Sequence, residues 1–498
     1  MPHSTLIAVL QATPFGQSLV PLVAVLAPLW QALAAKLEAF RTGAVTPQAT
    51  FELEQAVHEN LREQGRLILQ WLFKHLEPAA PEDNPRRVVW QGEVYRRRQQ
   101  HPNTVATLFG SILISRFLYE PLERGERSIH PLEMRLGIEA GCATPALAER
   151  VGWWSAQQSQ RVVRDILRRD HSVTWSYTTL RKVTASLSAG MSSFRQEAQV
   201  AKVLQWLRQA FDGRGPQRPV LSVGRDGIHV PLREAKAQEY AEGSVATVAV
   251  LDRRGQRLGT VYLGQMPEAK QVTLSQQLTA LLEEVLRRWD GPLPRLAYVT
   301  DAGWHPTDYF VRVLRRLEQP GRPGVRLHWE RILDFYHACT YITKMAEALF
   351  GTSGVGFHWA RRMRKLLKQK RGLTRVLQSA SYHYNQQALP PVRADVFDKA
   401  YRYLRKRGHM MEYSRYQRQG LPLGSGVTEA ACKTVFTQRL KQSGMGWKIK
   451  SGQVIVDLRV LLLSDVWTEV HESYMHSKTL PLIGTLKGAA EKQTEMAA

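Results

Sequence analysis

Four strand-like runs with a single helix among them constrain this chain more than any other feature. "RPVLSVGRDGIHVPLR" reads as a strand with Asp226 at its centre, and "GSVATVAVLDRRGQRLGTVYLG" as a hairpin turning at Asp252 to Gly255. "QVTLSQQLTALLEEVLRRW" has helical periodicity, and "LPRLAYVTDAGWHP" is a buried-type strand that ends on Asp301. Three hairpin-linked strands, a helix and a further strand predict one sheet in which an acid on the first strand lies beside an acid at the end of the fourth.

That is the layout of an α/β RNase H-like core. Carboxylates on rigid strands suit a site for two Mg²⁺ or Mn²⁺ ions, which must be held about 3.5 to 4 Å apart to bridge a phosphate. A third acid is expected in "LPLGSGVTEAACKTVFTQRLKQSGMGW". There a Gly-Ser-Gly loop precedes a helix beginning at Glu429, with Thr428 available as its cap. Glu429 and Lys433 fall one turn apart on one face, and Lys433, Arg439 and Lys441 are placed to hold a phosphate backbone while the acid ligates metal. The plainer alternative makes Glu429 a first-turn acid favoured by the helix dipole, and Asp226 and Asp301 turn residues.

Charge points to the same class of partner. Lys and Arg number 68 against 44 Asp and Glu, a formal net charge of +24. Such a surface attracts polyanions in a salt-sensitive way, and the clustering of the cations favours nucleic acid over a bland excess of surface Lys and Arg; with the motifs below, double-stranded DNA is the expected partner. The cysteines, Cys142, Cys339 and Cys432, are too far apart for a disulfide framework or a Cys-based zinc site, so an intracellular, cytoplasmic protein is expected. Residues 4–35 carry no charge, but Pro14, Pro21 and Pro28 and three glutamines interrupt them. Packed helices are expected there, with no membrane span.

Residues 50–76 form an amphipathic pattern that packs or dimerises, with a boundary near residue 80. A polar, basic, turn-rich segment follows, and then a β-hairpin around Gly110. From Pro131 come short helices, the last capped by Ser176 and bearing Thr178, Thr179, Arg181 and Lys182. This resembles a helix-turn-helix, with Arg181 and Lys182 in reach of DNA; a structural bundle with a basic outer face is the alternative.

"GSGVTEAACKTVFTQRLKQSGMGW", together with "DFYHACTYI", "YVTDAGWH" and "VGRDG", resembles the DDE transposases of bacterial insertion sequences, most closely the Kra-type family. The resemblance covers roughly residues 95–465 and is strongest from 421 to 463. It implies the triad Asp226, Asp301 and Glu429, two Mg²⁺ or Mn²⁺ ions, cleavage at the element's ends and joining of the 3′-OH to target DNA, with at least a homodimer on DNA. The spacing of 128 from Asp301 to Glu429 is too long for one loop and implies an inserted domain. Its content is helical and basic, including Arg361, Arg362, Arg364 and Lys365, with aromatic residues interleaved that either stack on unpaired bases or form its core. Asp334 and His337 in "DFYH" match an Asp/Cys-x-x-His signature of transposases with helical insertions, and a possible auxiliary role follows for them. The Cys-x-x-Cys element of some relatives is missing from "YEPLERGERS", so no zinc knuckle is expected there.

The resulting organisation is a helical region at 1–80, a basic linker and hairpin at 81–130, a helix-turn-helix-like DNA-binding domain at 131–200, the first part of the core at 215–334, the insertion at 335–420, the C-terminal core helices at 421–470, and a tail at 471–498. Tyrosine or serine recombinases, a non-catalytic DNA-binding protein derived from a transposase, and an RNase H-like nuclease or resolvase without strand transfer are the competing readings.

Overall fold

A computed structural model of the chain describes residues 14–77, 84–123, 127–234, 237–478 and 484–485. It forms two compact units. One runs to Met191 and takes in the chain from His471 onward; the other is Ser192–Val470.

In the first unit, α1 (Pro14–Thr42) and α2 (Pro47–His75) pack as a helical hairpin, tied by Trp30 Nε1 donating to Gln64 Oε1 at 2.8 Å and Asn60 Nδ2 to Leu29 O at 2.7 Å. Pro21 and Pro28 do not divide α1, contrary to the sequence expectation. Seven residues apart, they fall on one face, so their missing N–H groups lie along a single side of the helix. Gly16–Thr42 is therefore long and apolar enough to cross a membrane by length and composition, with mean hydropathy 1.8.

The basic stretch expected as linker is instead strand. β1 (Arg87–Trp90) turns through Gln91 and Gly92, both at positive φ, into β2 (Glu93–Thr107), which pairs with β3 (Gly110–Pro121). Val88 and Tyr95 pair across the two strands and are buried, while the adjacent pair Arg87 and Arg96 is exposed, an alternation that the high charge disguised. Four helices follow: α3 (Pro131–Arg135), α4 (Pro145–Gln157), α5 (Gln160–His171) and α6 (Tyr177–Asp212). Leu147, Val151, Val163, Leu167, Leu180 and Val183 form their core. Ser176 caps α6 as expected, accepting from Thr179 N at 3.0 Å, but α6 runs well beyond the expected domain end. The start of the expected separate tail belongs to this unit: Tyr474 Oη donates to Glu139 Oε1 at 2.6 Å, and Lys478 pairs with the same carboxylate.

The second unit is a mixed α/β body. β4 (Val220–Glu234), β5 (Ala237–Leu251) and β6 (Arg257–Gln265) form an antiparallel meander, α7 (Val272–Arg288) crosses over, and β7 (Arg295–Thr300) and β8 (Trp329–Leu333) add in parallel. The sheet order is β6-β5-β4-β7-β8. The hairpin turn at Asp252 to Gly255 is as expected, closed by Asp252 N donating to Gln256 O at 2.8 Å, with Gly255 at φ +76. One sheet face buries Leu221, Val223, Val248 and Tyr298 against Leu278 and Leu282 of α7 and the end of α6.

The opposite face carries two groups of helices. α8 (Trp304–Arg312), between β7 and β8 in sequence, packs Tyr309 on the first face with α7, while on the opposite face the insertion supplies α9 (Phe335–Phe350), α10 (Gly354–Leu367), α11 (Gly372–Asn385), α12 (Pro391–Lys406) and α13 (Tyr413–Arg418). Their core includes Trp359, Tyr413 and Tyr416, so these aromatics are structural and cannot stack on bases; Tyr382 is exposed. The second group is α14 (Gly426–Ala431), a π-helical segment at Cys432–Thr437, α15 (Gln438–Leu440) and α16 (Ile449–Leu463), after which α17 (Trp467–Ser477) passes from this unit into the first at His471. Val435, Phe436, Val456 and Val460 from this run cover Val245 and Val230 of the sheet.

Candidate active site

Sheet register brings the first two acids together. β4 pairs with β7 in parallel up to Val223 opposite Tyr298, and three residues further along each strand direction stand Asp226 and Asp301. Asp226 Oδ1 accepts from Gly227 N at 2.8 Å, and Cys432 Sγ donates to Oδ2 at 3.4 Å. Burial pushes the Asp226 carboxyl up to about 6, against the pull of those two hydrogen bonds and with the charges of Asp301 and Glu429 adding to the rise. All three acids of the expected triad therefore share one electrostatic neighbourhood.

Asp301 sits in a tight turn between β7 and α8. Its Oδ1 accepts from Gly303 N at 2.8 Å, and Ala302 adopts φ +57, a left-handed conformation costly for a residue with a Cβ. The insertion braces this turn: Tyr403 Oη donates to Asp301 O at 2.7 Å, and Arg407, stacked on the Tyr403 ring at 3.8 Å, reaches Ala302 O at 3.4 Å.

Glu429 lies exposed on α14, with Ser425 Oγ 3.2 Å from its Oε1. The helix begins at Gly426, three residues before the start expected from sequence. Thr428 is accordingly not a cap. It is buried against the sheet, its hydroxyl 2.7 Å from that of Thr247, and a Cβ at Gly224 would collide with it. Gly224 thus lets the Glu429 helix lie directly on β4. The π segment then turns Cys432 toward Asp226 while Lys433 stays in solvent.

Asp334 has a definite structural role. Fully buried, it caps α9: Oδ1 accepts from His337 N at 2.5 Å, and Oδ2 from the Ser425 backbone N–H and from Ser425 Oγ at 2.7 Å. Its own N–H donates to Thr300 O at 2.8 Å, next to Asp301. One residue therefore ties the turn of the second acid to the helix of the third. The His337 ring points elsewhere, packing on Tyr341 and Tyr403 at 5.4 and 5.8 Å between centroids.

Of the expected phosphate-binding cations, Lys433 and Lys441 are exposed, as are Arg361, Arg362, Arg364 and Lys365 on α10. Arg364 also donates to Thr343 Oγ1 at 2.5 Å. Arg181 and Lys182 are exposed on α6 in the other unit, Arg181 donating to Gln160 Oε1 at 3.1 Å. Arg439 does not belong with them. It is fully buried over the Trp447 ring at 5.2 Å, and burial beside Arg459 pushes its guanidinium down to about 10, so no phosphate can reach it. The π segment shifts helical phase and turns this position inward.

The parts that Ser425, Cys432, Tyr403 and Arg407 play around the acids were not read from the sequence. The Gly-Ser-Gly spacing pointed toward Ser425, but nothing local marks Tyr403 or Arg407, whose partners lie about a hundred residues away.

Three carboxylates are hard oxygen donors suited to Mg²⁺ or Mn²⁺, and the raised proton affinity of Asp226 marks negative charge that a cation would offset. Among the described residues, no three His, Cys, Asp or Glu side chains converge as a ready-made metal shell. In comparisons with known proteins, no family model matches the chain, and no curated protein is significantly similar to it.

Proposed function

We propose that this chain is a DNA transposase with an RNase H-like core, cutting at the ends of a mobile element and joining the freed 3′-OH to target DNA. The observation that carries this reading is that Asp226 and Asp301 stand at matching positions beyond two adjacent parallel strands, while Glu429 lies on a helix laid on the same sheet and its charge adds to the raised proton affinity of Asp226. The sheet order, an antiparallel meander extended by two parallel strands, supports the RNase H-like assignment.

Asp226, Asp301 and Glu429 are the residues that would hold two Mg²⁺ or Mn²⁺ ions, which when bound supply an activated oxygen nucleophile and stabilise the leaving oxygen of an in-line displacement. The chain's own contribution is placement. Strand register fixes Asp226 and Asp301, Asp334 fixes the turn and the helix on either side, and Lys433 and Lys441 attract the phosphate backbone. Arg181 and Lys182 are assigned to recognition of the element ends, and the need to hold two ends together favours a homodimer on DNA in the cytoplasm.

The test is cleavage and joining of labelled candidate ends with Mg²⁺ or Mn²⁺. Asp226→Ala, Asp301→Ala and Glu429→Ala should each abolish both steps and leave duplex binding nearly intact. Cleavage without joining would reassign the chain as a nuclease or resolvase, and near wild-type cleavage by any one variant would remove that acid from the site.

A further inference from the structure

Two large aromatic side chains stand in solvent beside the acids. Trp304 is 65% exposed and Tyr336 67% exposed, although rings of this size are normally mostly buried. Trp304 opens α8 three residues after Asp301, and its neighbour Gly303 is so close to the Asp301 carboxylate that a Cβ there would come within 3.2 Å of it. The indole meets the edge of His305 at 4.7 Å between centroids. Tyr336 lies two residues after Asp334, its ring 3.1 Å from where a Cβ on Gly424 would be. Gly424 precedes Ser425, the residue from which the Glu429 helix starts. Each ring is thus anchored at a turn that carries or positions an acid, with most of its surface exposed.

Asp226 and Asp301 are partly buried at the sheet, less accessible than Glu429. A phosphate in closed B-form duplex is held at the helix surface by its stacked neighbours, so a strand that leaves the duplex reaches a partly buried site more readily. Bases that leave the stack need new π-faces, which aromatic side chains supply without regard to sequence. Exposed Lys433 lies on the Glu429 helix and Arg407 at the Asp301 turn, giving cations to accompany the backbone.

We propose that Trp304 and Tyr336 stack on unpaired bases flanking the phosphodiester at the acids, so that the preferred substrate is a duplex locally opened at the cut position. The inference rests on the nucleic-acid reading above and adds the conformation of the strand that is bound.

The test uses the whole chain carrying Glu429→Gln to silence cleavage. It is titrated, without divalent cations, against matched oligonucleotide duplexes that are fully paired or contain a two-nucleotide bubble with 2-aminopurine. The bubble should bind about tenfold more tightly, with the 2-aminopurine quenched on binding as its base stacks on a ring. Trp304→Leu and Tyr336→Leu should each bring the bubble-to-closed ratio toward one and relieve the quenching, while Tyr336→Phe, which keeps the ring, should retain both. Circular dichroism and melting curves confirm that each variant is folded. Equal affinity for bubble and closed duplex in the parent, or an unchanged ratio in both leucine variants, would overturn the stacking role while leaving the transposase reading standing. Failure to bind either duplex would overturn the nucleic-acid reading and the stacking role together.

Discussion

Asp226 shows how a single side chain reports on its site. Its proton affinity is raised to about pH 6 from an ordinary 3.8, so the folded state binds a proton that the unfolded state has already released. Stability is therefore lost as pH rises from near 4 to near 6, by about 3 kcal/mol once both states are ionised. Asp226→Asn should raise the melting temperature of the metal-free protein at pH 8 and leave it nearly unchanged at pH 4, and the stabilisation that Mg²⁺ gives the parent should disappear in the variant. A melting temperature that does not respond to pH across this window in the parent would contradict the burial described. Asp334→Ala leaves three donors, on His337 and Ser425, without their acceptor. It should destabilise the second unit by about 3 kcal/mol, measured by denaturant unfolding. The sequence made Asp226, Asp301 and Glu429 legible because each ends or interrupts a clear periodic run. Asp334 was visible as a residue but not as a tie, since its partner Ser425 is 91 positions away. Arg439 misled because a cation next to exposed lysines gives no local sign of facing inward.

At the scale of elements, the meander, the crossover helix and the following strand were legible from periodicity, and the helical character of the insertion from its length and composition. Three elements were not. β1 was hidden by the exposed Arg87 at its start and the arginines of the neighbouring β2, α1 by prolines that share one side of the helix, and the start of α14 by a Gly-Ser-Gly run whose last glycine is already in the helix. The outer face of α10 makes a prediction of its own. Neutralising Arg361, Arg362, Arg364 and Lys365 together should flatten the slope of log K against log [salt] by about 0.9 for each duplex phosphate that the variant no longer pairs, with single-turnover cleavage at saturating protein little changed. An unchanged slope in filter binding or anisotropy would make that face a solvated surface only.

For the molecule as a whole, a net charge of +24 is divided between two units, and the cations assigned to end recognition lie in a different unit from the acids. Arg181→Ala should consequently weaken binding of the element ends without altering the chemical step, a separation readable by comparing competition binding with single-turnover cleavage. The unit boundary itself was not legible, because it falls inside α6, an unbroken helical pattern with no loop to mark it. The spread of the three acids along the chain also has a consequence for synthesis. Because Glu429 follows Asp301 by 128 residues, a growing polypeptide on the ribosome has exposed both strand carboxylates and the whole basic insertion well before the helix that completes the trio has been made. A product truncated shortly upstream of that helix would still carry most of the positive charge yet lack the third carboxylate, and under the proposed function it would compete with finished copies for DNA without being able to cut it.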